Sequence, residues 1–247
     1  MGEDGQASPP VDVAYSWVAS GVFESCAIRA ADGSIDCWGQ DPGVAPTGSY
    51  VLVSRRDHMS NTPILEVGTG YTYSCMLRSA DHKVECMDAS VGDPRGQPPD
   101  VRFSHIAVGD QFSCGLRESD GHPQCWGMGD AASAPAVEMI DVSVGANHAC
   151  AVRADNGEIM CWGSNDDGES TAPSGIAFTQ VSAGIGYTCA VRADNADAMC
   201  WGDNTWRQST PPAGVPFESV ATEERYSCGI RADNHHRVCW GEKAHGP

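Results

Sequence analysis

Twelve cysteines stand at positions 26, 37, 75, 86, 114, 125, 150, 161, 189, 200, 228 and 239. Thiols can ligate metals, attack electrophiles or oxidise to disulfides, and the spacing chooses among these. The cysteines form six pairs whose members lie 11 positions apart. Zinc pairs usually stand only about two to four residues apart, and no second pair or histidine set recurs here at a fixed offset. The reading favoured over zinc is therefore six disulfides: Cys26–Cys37, Cys75–Cys86, Cys114–Cys125, Cys150–Cys161, Cys189–Cys200 and Cys228–Cys239. Every cysteine then has a partner, which leaves no thiol for a cysteine enzyme and points to an oxidising compartment.

The element that must position each pair is a hairpin. Between Cys150 and Cys161 the chain reads AVRADNGEIM, in which Val152 and Ile159 alternate with more polar neighbours and Asp155, Asn156 and Gly157 supply turn chemistry. An even number of intervening residues closing on a tight turn sets the two cysteines opposite each other across an antiparallel pair. Facing Cβ atoms there approach to roughly 4.5–5.5 Å, close enough to bridge.

Successive first cysteines are 49, 39, 36, 39 and 39 residues apart, a period typical of propeller blades and other stacked repeats. Five positions before the first cysteine stands Gly21, Gly70, Gly109, Gly145 or Gly184, with Glu223 in the sixth repeat. Two positions before it stands Tyr73, Phe112, His148, Tyr187 or Tyr226, with Glu24 in the first. Three positions after it comes an arginine in every repeat, followed closely by an aspartate, as in Arg153 and Asp155. These two are expected to meet at the hairpin tip or between neighbouring blades. The second cysteine is followed by Trp-Gly in five repeats, at Trp38, Trp126, Trp162, Trp201 and Trp240, whereas the second repeat has Met87-Asp88. A flat ring at one place in every repeat suits a wedge between adjacent sheets; a row of stacking platforms for sugars is the alternative.

The pattern VSxGxxHxCAVRAD…CWG resembles the repeat of the regulator of chromosome condensation superfamily in its cysteine-bearing secreted variety, similar to Crinkly-type receptor ectodomains and bacterial secreted propellers. The resemblance covers about Val13 to Gly241 and implies an all-β fold, a β-propeller of radially arranged antiparallel blades. Six blades, each with one hairpin disulfide, are favoured over seven or an open arc. The expected organisation is an N-terminal extension over 1–12 that could lend a closing strand, a single propeller over 13–241 with repeats at about 13–39, 63–88, 102–127, 139–163, 177–202 and 216–241, and a tail over 242–247. The chromatin activity of nuclear relatives is not implied, since fold alone does not carry function.

Composition narrows the function. The net charge is −18, from 33 acidic against 15 basic residues, which disfavours nucleic acid and anionic lipid. No apolar run is long enough to span a membrane, and none is expected to insert. The opening MGEDGQASPP has no basic or apolar leader region, so the chain reads as a piece of a longer secreted protein. No G-x-S-x-G, H-E-x-x-H, G-x-G-x-x-G or P-loop motif occurs. The run Asn165 to Glu169 is only faintly like a calcium loop and reads as solvated, and His235-His236 reads as an exposed tip pair. Neither a cofactor nor a metal is expected.

Strand alternation puts two loops per repeat at one end of the molecule: the one before the first cysteine and the one after Cys-Trp-Gly. These loops vary between repeats, and variation on a rigid scaffold is how loops acquire binding functions. The candidate binding face is drawn through Tyr73, Phe112, His148, Tyr187 and Tyr226. The expected function is an extracellular or cell-surface, non-catalytic binding or scaffold propeller that meets a protein or glycan partner or itself. A secreted inhibitor capping an enzyme active site is the alternative, and a propeller lyase or lactonase ranks below both.

Overall fold

A computed structural model describes residues 15–20, 24–29, 35–39, 64–69, 73–87, 97–129 and 134–242, with side chains at Tyr73, 75–86, 97–129 and 134–242. The described strands form six three-stranded antiparallel sheets, each built from consecutive strands. Sheet one is β1 (Tyr15–Ser20), β2 (Glu24–Arg29) and β3 (Ile35–Gly39); sheet two is β4 (Ile64–Thr69), β5 (Ser74–Arg78) and β6 (Val84–Met87). Sheet three is β7 (Phe103–Val108), β8 (Phe112–Arg117) and β9 (Pro123–Gly127); sheet four is β10 (Met139–Val144), β11 (His148–Arg153) and β12 (Ile159–Gly163). Sheet five is β13 (Phe178–Ala183), β14 (Tyr187–Arg192) and β15 (Ala198–Gly202); sheet six is β16 (Phe217–Thr222), β17 (Tyr226–Arg231) and β18 (Arg237–Gly241).

The second and third strands are the hairpin anticipated from the cysteine spacing. Cys150 faces Cys161, and the same register joins the cysteines of the other five sheets. Five disulfides bridge Cys75–Cys86, Cys114–Cys125, Cys150–Cys161, Cys189–Cys200 and Cys228–Cys239, all with Cα atoms 4.0 Å apart. Cys26 and Cys37 face each other in register; their side chains lie outside the described residues. At the tips, Arg and Asp meet within one turn rather than between sheets. Arg78 Nε donates to Asp81 at 3.1 Å, Arg153 Nε to Asp155 at 2.9 Å and Arg231 Nε to Asp233 at 2.8 Å, with a second bond from Nη2 each time. These pairs are partly exposed, so they shape the turn more than they stabilise the fold.

The first strand of each sheet carries a register shift after its opening residue, as between Phe178 and Gln180. The extra residue turns the usual spacing of two into three. Phe178 and Val181 consequently share one buried face, while Thr179 is exposed. That leading face packs on the trailing face of the preceding sheet. Between sheets five and six, for example, Phe217, Val220 and Trp240 cover Tyr187, Cys189 and Val191. Sheets four and five repeat this with Phe178 and Val181 on Cys150 and Val152. Within their own sheets Phe103–Trp126 and Phe217–Trp240 stand 5.6 Å apart, centroid to centroid. These tryptophans share a cluster with Tyr73 and Cys75 or Tyr187 and Cys189 of the preceding sheet, so they are wedges between sheets. Each large side chain so buried contributes about 1.5–3 kcal/mol.

The recurring glycine is required by close approach. A Cβ on Gly109 would stand 2.2 Å from the Gly145 carbonyl oxygen, and one on Gly145 would stand 2.2 Å from that of Gly184. The glycine after tryptophan has a different cause, because Gly163 (φ 96) and Gly202 (φ 97) occupy a conformation that side-chain-bearing residues rarely adopt. Packing runs in chain order from sheet one to sheet six. Among the described strands, no comparable packing joins sheet six to sheet one. The extension over 1–12 lies outside the described residues, as does the tail over 242–247 apart from Glu242.

Candidate functional site

In sheets three to six the two loops of each sheet meet at one end, tied by backbone hydrogen bonds. Met128 N donates to Gln111 O (2.9 Å), Ser164 N to Asn147 O (2.9 Å), Asp203 N to Gly186 O (2.8 Å) and Glu242 N to Arg225 O (2.9 Å). Among the described residues, four of the five exposed large hydrophobics lie at this end: Met128, Ile185, Trp206 and Tyr226, each about two-fifths exposed, the fifth being Ile140 on β10. The Arg225 guanidinium lies over the Trp206 ring at 5.0 Å and pairs with Glu224 and Glu242. A cation held this way fixes the ring without hiding it. Asp166, Asp167 and Glu224 are exposed around these side chains.

The aromatic series expected at this face divides. Tyr73, Phe112, His148 and Tyr187 are 0–1% exposed, held between sheets, and Tyr226 alone is 40% exposed. Their position beside the loops is right, but their rings turn along the sheet onto the next sheet's leading face. Tyr73 Oη and Ser113 Oγ are 2.7 Å apart, and His148 Nε2 and Thr188 Oγ1 are likewise 2.7 Å apart. Tyr187 Oη donates to Tyr226 O at 2.7 Å and accepts from Ser227 Oγ at 3.1 Å; burial pushes that hydroxyl up to about 12. Ile185 belongs to the variable loop before the first cysteine, whereas Met128 and Trp206 carry no sequence signal, since a lone apolar residue in a loop looks like any other.

The run Asn165–Glu169 is a latch rather than a solvated loop. Glu169 is buried; Ser164 Oγ donates to its carboxylate at 2.7 Å and Asp167 N at 2.8 Å. Burial opposes the charge, but these hydrogen bonds and the nearby His148 keep the carboxyl below its ordinary range. Its carbonyl accepts from Trp201 Nε1 at 2.8 Å and Thr188 Oγ1 at 3.1 Å, docking the next sheet. Gln208 does the same one repeat later, accepting from Trp240 Nε1 at 2.8 Å and Ser227 Oγ at 3.0 Å. The signal was present in the chain: Asn165…Glu169-Ser170-Thr171 and Asn204…Gln208-Ser209-Thr210 recur at the repeat distance. At the last tip, His235 has φ 58 and its Nδ1 lies 3.0 Å from Glu218. Among the described residues no group of three or more His, Cys, Asp or Glu could hold a metal ion.

His148 supplies a pH test of the sheet junction. Burial lowers its imidazole from 6.5 to about 4, partly offset by Glu169. The unfolded ring takes its proton near 6.5 and the folded ring only near 4, so stability falls as pH drops through that window. The loss is up to roughly 3 kcal/mol. Glu223, pushed up to about 7 by burial, works oppositely: its contribution is complete below the usual carboxylate range and is lost as pH rises through 7. The double change His148→Phe with Thr188→Ala copies the Phe112 and Ala149 pairing of the junction before it. Denaturant melts from neutral pH to pH 4 are expected to show the acid loss in wild type and not in the double variant. Glu223 is common to both proteins and cancels.

Bladelike sheets at a fixed repeat, packed face to face with paired loops gathered at one end, define a β-propeller of the repeat type. Residues 139–169, sheet four and its latch loop, match the model of the Regulator of chromosome condensation (RCC1) repeat. The fold is similar to the ectodomain of the Physcomitrella patens receptor kinase CR4 (TM-score 0.78, 23% identity, 94% of this chain and 63% of that one). It is also similar to the CRINKLY WD40 ectodomain of the Arabidopsis thaliana receptor kinase ACR4 (TM-score 0.80, 22% identity, 96% and 84%). A third likeness is to Prp20p from Saccharomyces cerevisiae (TM-score 0.73, 16% identity, 91% and 71%), whose structure was described with its binding to Gsp1p and histones. The chain thus spans under two-thirds of the Physcomitrella ectodomain. Among the described residues no helix is long and apolar enough to cross a membrane.

Proposed function

We propose that this chain is an extracellular, non-catalytic propeller module whose loop face docks a protein partner. The observation that carries the reading is the gathering of Met128, Ile185, Trp206 and Tyr226 at the loop end. Exposed aromatics beside a positioned arginine are the composition of interface hot spots. The hairpin disulfides support an oxidising compartment, and the receptor ectodomains of similar fold are in keeping with it. The six sheets are the six blades of this reading and form an open arc, a reading supported by there being no packing between the described strands of sheets six and one comparable with that of the other junctions.

The test uses the oxidised chain immobilised against proteins of its native surroundings. A partner retained by wild type is expected to weaken by about 30-fold or more on Trp206→Ala, a loss of about 2 kcal/mol typical of a hot-spot residue. The tip change Asp155→Ala should leave binding intact. Equal retention by the Trp206 variant removes the loop face from the reading. Retention of glycans alone would reassign the partner class, and stoichiometric loss of a captured hydrolase's activity would make the module an inhibitor.

A further inference from the structure

Charge is balanced differently at the two ends of the sheets. At the hairpin tips Arg78, Arg117, Arg153, Arg192 and Arg231 each pair with the aspartate of their own turn. At the loop end, sheets four to six bring together Asp166, Asp167, Asp203, Glu224 and Glu242, with Arg207 and Arg225 the only cations of these loops among the described residues. Arg225 is shared by Glu224 and Glu242, and Asp203 accepts from Thr205 N, Thr205 Oγ1 and Gln208 Nε2. Asp166 and Asp167 are different. Both are exposed, the Asp166 carboxylate meets Ser164 Oγ at 3.4 Å, and neither carboxylate has a cationic partner among the described residues.

These two carboxylates lie against the apolar part of the same face. A Cβ on Gly186 would stand 3.0 Å from Asp167 Oδ2 and 3.8 Å from Asp203 Cβ, so the acidic loop of sheet four leans over the first loop of sheet five where a side chain is lacking. The residue before Gly186 is the exposed Ile185. Gly186 O accepts from Asp203 N at 2.8 Å, which sets the loop carrying Trp206 alongside. Carboxylates, an aliphatic side chain and an indole therefore follow one another across neighbouring loops. The way such a surface receives a cation is visible within the molecule, where the Arg225 guanidinium lies 5.0 Å over the Trp206 ring and meets two carboxylates.

Resting on the loop-face reading, we propose that the protein partner docks through a basic segment in which an arginine or lysine stands beside an apolar residue. The apolar residue covers Ile185 and Trp206, and the cation pairs with Asp166 and Asp167. An acidic segment would instead bring its charge against unpaired carboxylates, on a chain whose net charge is −18. The two contacts act over different ranges. Charge attraction reaches beyond contact and speeds the encounter, whereas the apolar contact holds the docked segment. Added salt is therefore expected to weaken binding without abolishing it.

Fluorescence anisotropy tests this with short labelled peptides that alternate arginine with leucine or glutamate with leucine, titrated with the oxidised full chain. The arginine–leucine peptide is expected to bind and the glutamate–leucine peptide not to bind. Asp166→Asn together with Asp167→Asn should weaken the first by about five- to ten-fold, the effect of losing two exposed ion pairs. Trp206→Ala should weaken it by about ten-fold or more. Glu138→Gln with Glu218→Gln removes the same charge at the tip end, beside Gly121 and His235, and should change binding by less than about two-fold, because salt screens charges that far apart. No binding of the arginine–leucine peptide, equal binding of both peptides, or an equal loss from the tip-end pair would overturn the proposal. A loss on Trp206→Ala with none on the aspartate change overturns the basic segment and leaves the loop face standing. A loss on the aspartate change with none on Trp206→Ala takes the segment off the ring and overturns both readings.

Discussion

Reduction of the disulfides under otherwise native conditions is expected to abolish the fold. Each bridge closes a hairpin whose cysteines are 11 positions apart, and in the chain-entropy account a loop of that size contributes about 3 kcal/mol by restricting the unfolded chain. Five such bridges in the described sheets could together supply an amount comparable with the whole stability of a typical domain, about 5–15 kcal/mol. Three-stranded sheets, each burying a few large side chains per face, have little else to replace that contribution. The measurement is far-ultraviolet circular dichroism with and without a thiol reductant at a fixed temperature below the oxidised midpoint. Retention of the oxidised spectrum after complete reduction would show that packing between sheets suffices alone. A narrower version replaces Cys189 and Cys200 together by alanine, for which a loss of about 3 kcal/mol is expected. Peptide mapping without reductant should return the same pairing in all sheets, Cys26–Cys37 included.

The second large effect is expected at Gly145. Its hydrogen points at the Gly184 carbonyl oxygen, and a Cβ there would meet that backbone atom at 2.2 Å and His148 Cε1 at 2.9 Å. The nearest contact, to Gly184, is with backbone, which has no flexible side-chain end to move aside. Gly145→Ala must therefore part sheets four and five or bend a strand, at an expected cost of about 3 kcal/mol, the upper part of the range for overpacking. Glu223→Gly removes a side chain at the equivalent place in sheet six, against which no further described sheet packs, and should change stability far less. Thermal melts of the two variants beside wild type check both. An unchanged melting temperature for Gly145→Ala would mean that the sheets do not approach as closely in solution.

The sequence carried the repeat very far. Equal cysteine spacing, a turn at mid-segment and alternating apolar positions specify a hairpin with facing sulfurs, because these are local constraints acting over about a dozen residues. The tryptophan wedge was also legible, since a ring repeated once per sheet has to fill the same gap each time. The arginine and aspartate pairs were legible as pairs; only the structure placed them within one tip, where a turn of a few residues brings them together.

Other features depended on which way a side chain turns. Tyr187 and Tyr226 occupy the same repeat position and differ in whether another described sheet packs alongside, so one is buried and the other exposed. No local property of either residue distinguishes them. Glu169 reads as one acid in a hydrophilic loop, yet its carbonyl receives Trp201 from the next sheet, a contact made across 32 residues of chain. Sequence by itself determined the strands, the staples and the period, all of which follow from bond geometry and near neighbours. Only the tertiary structure decided which residues form the face and which rings are covered. Exposure is a property of what packs alongside, and the neighbour that covers a sheet is about forty residues away.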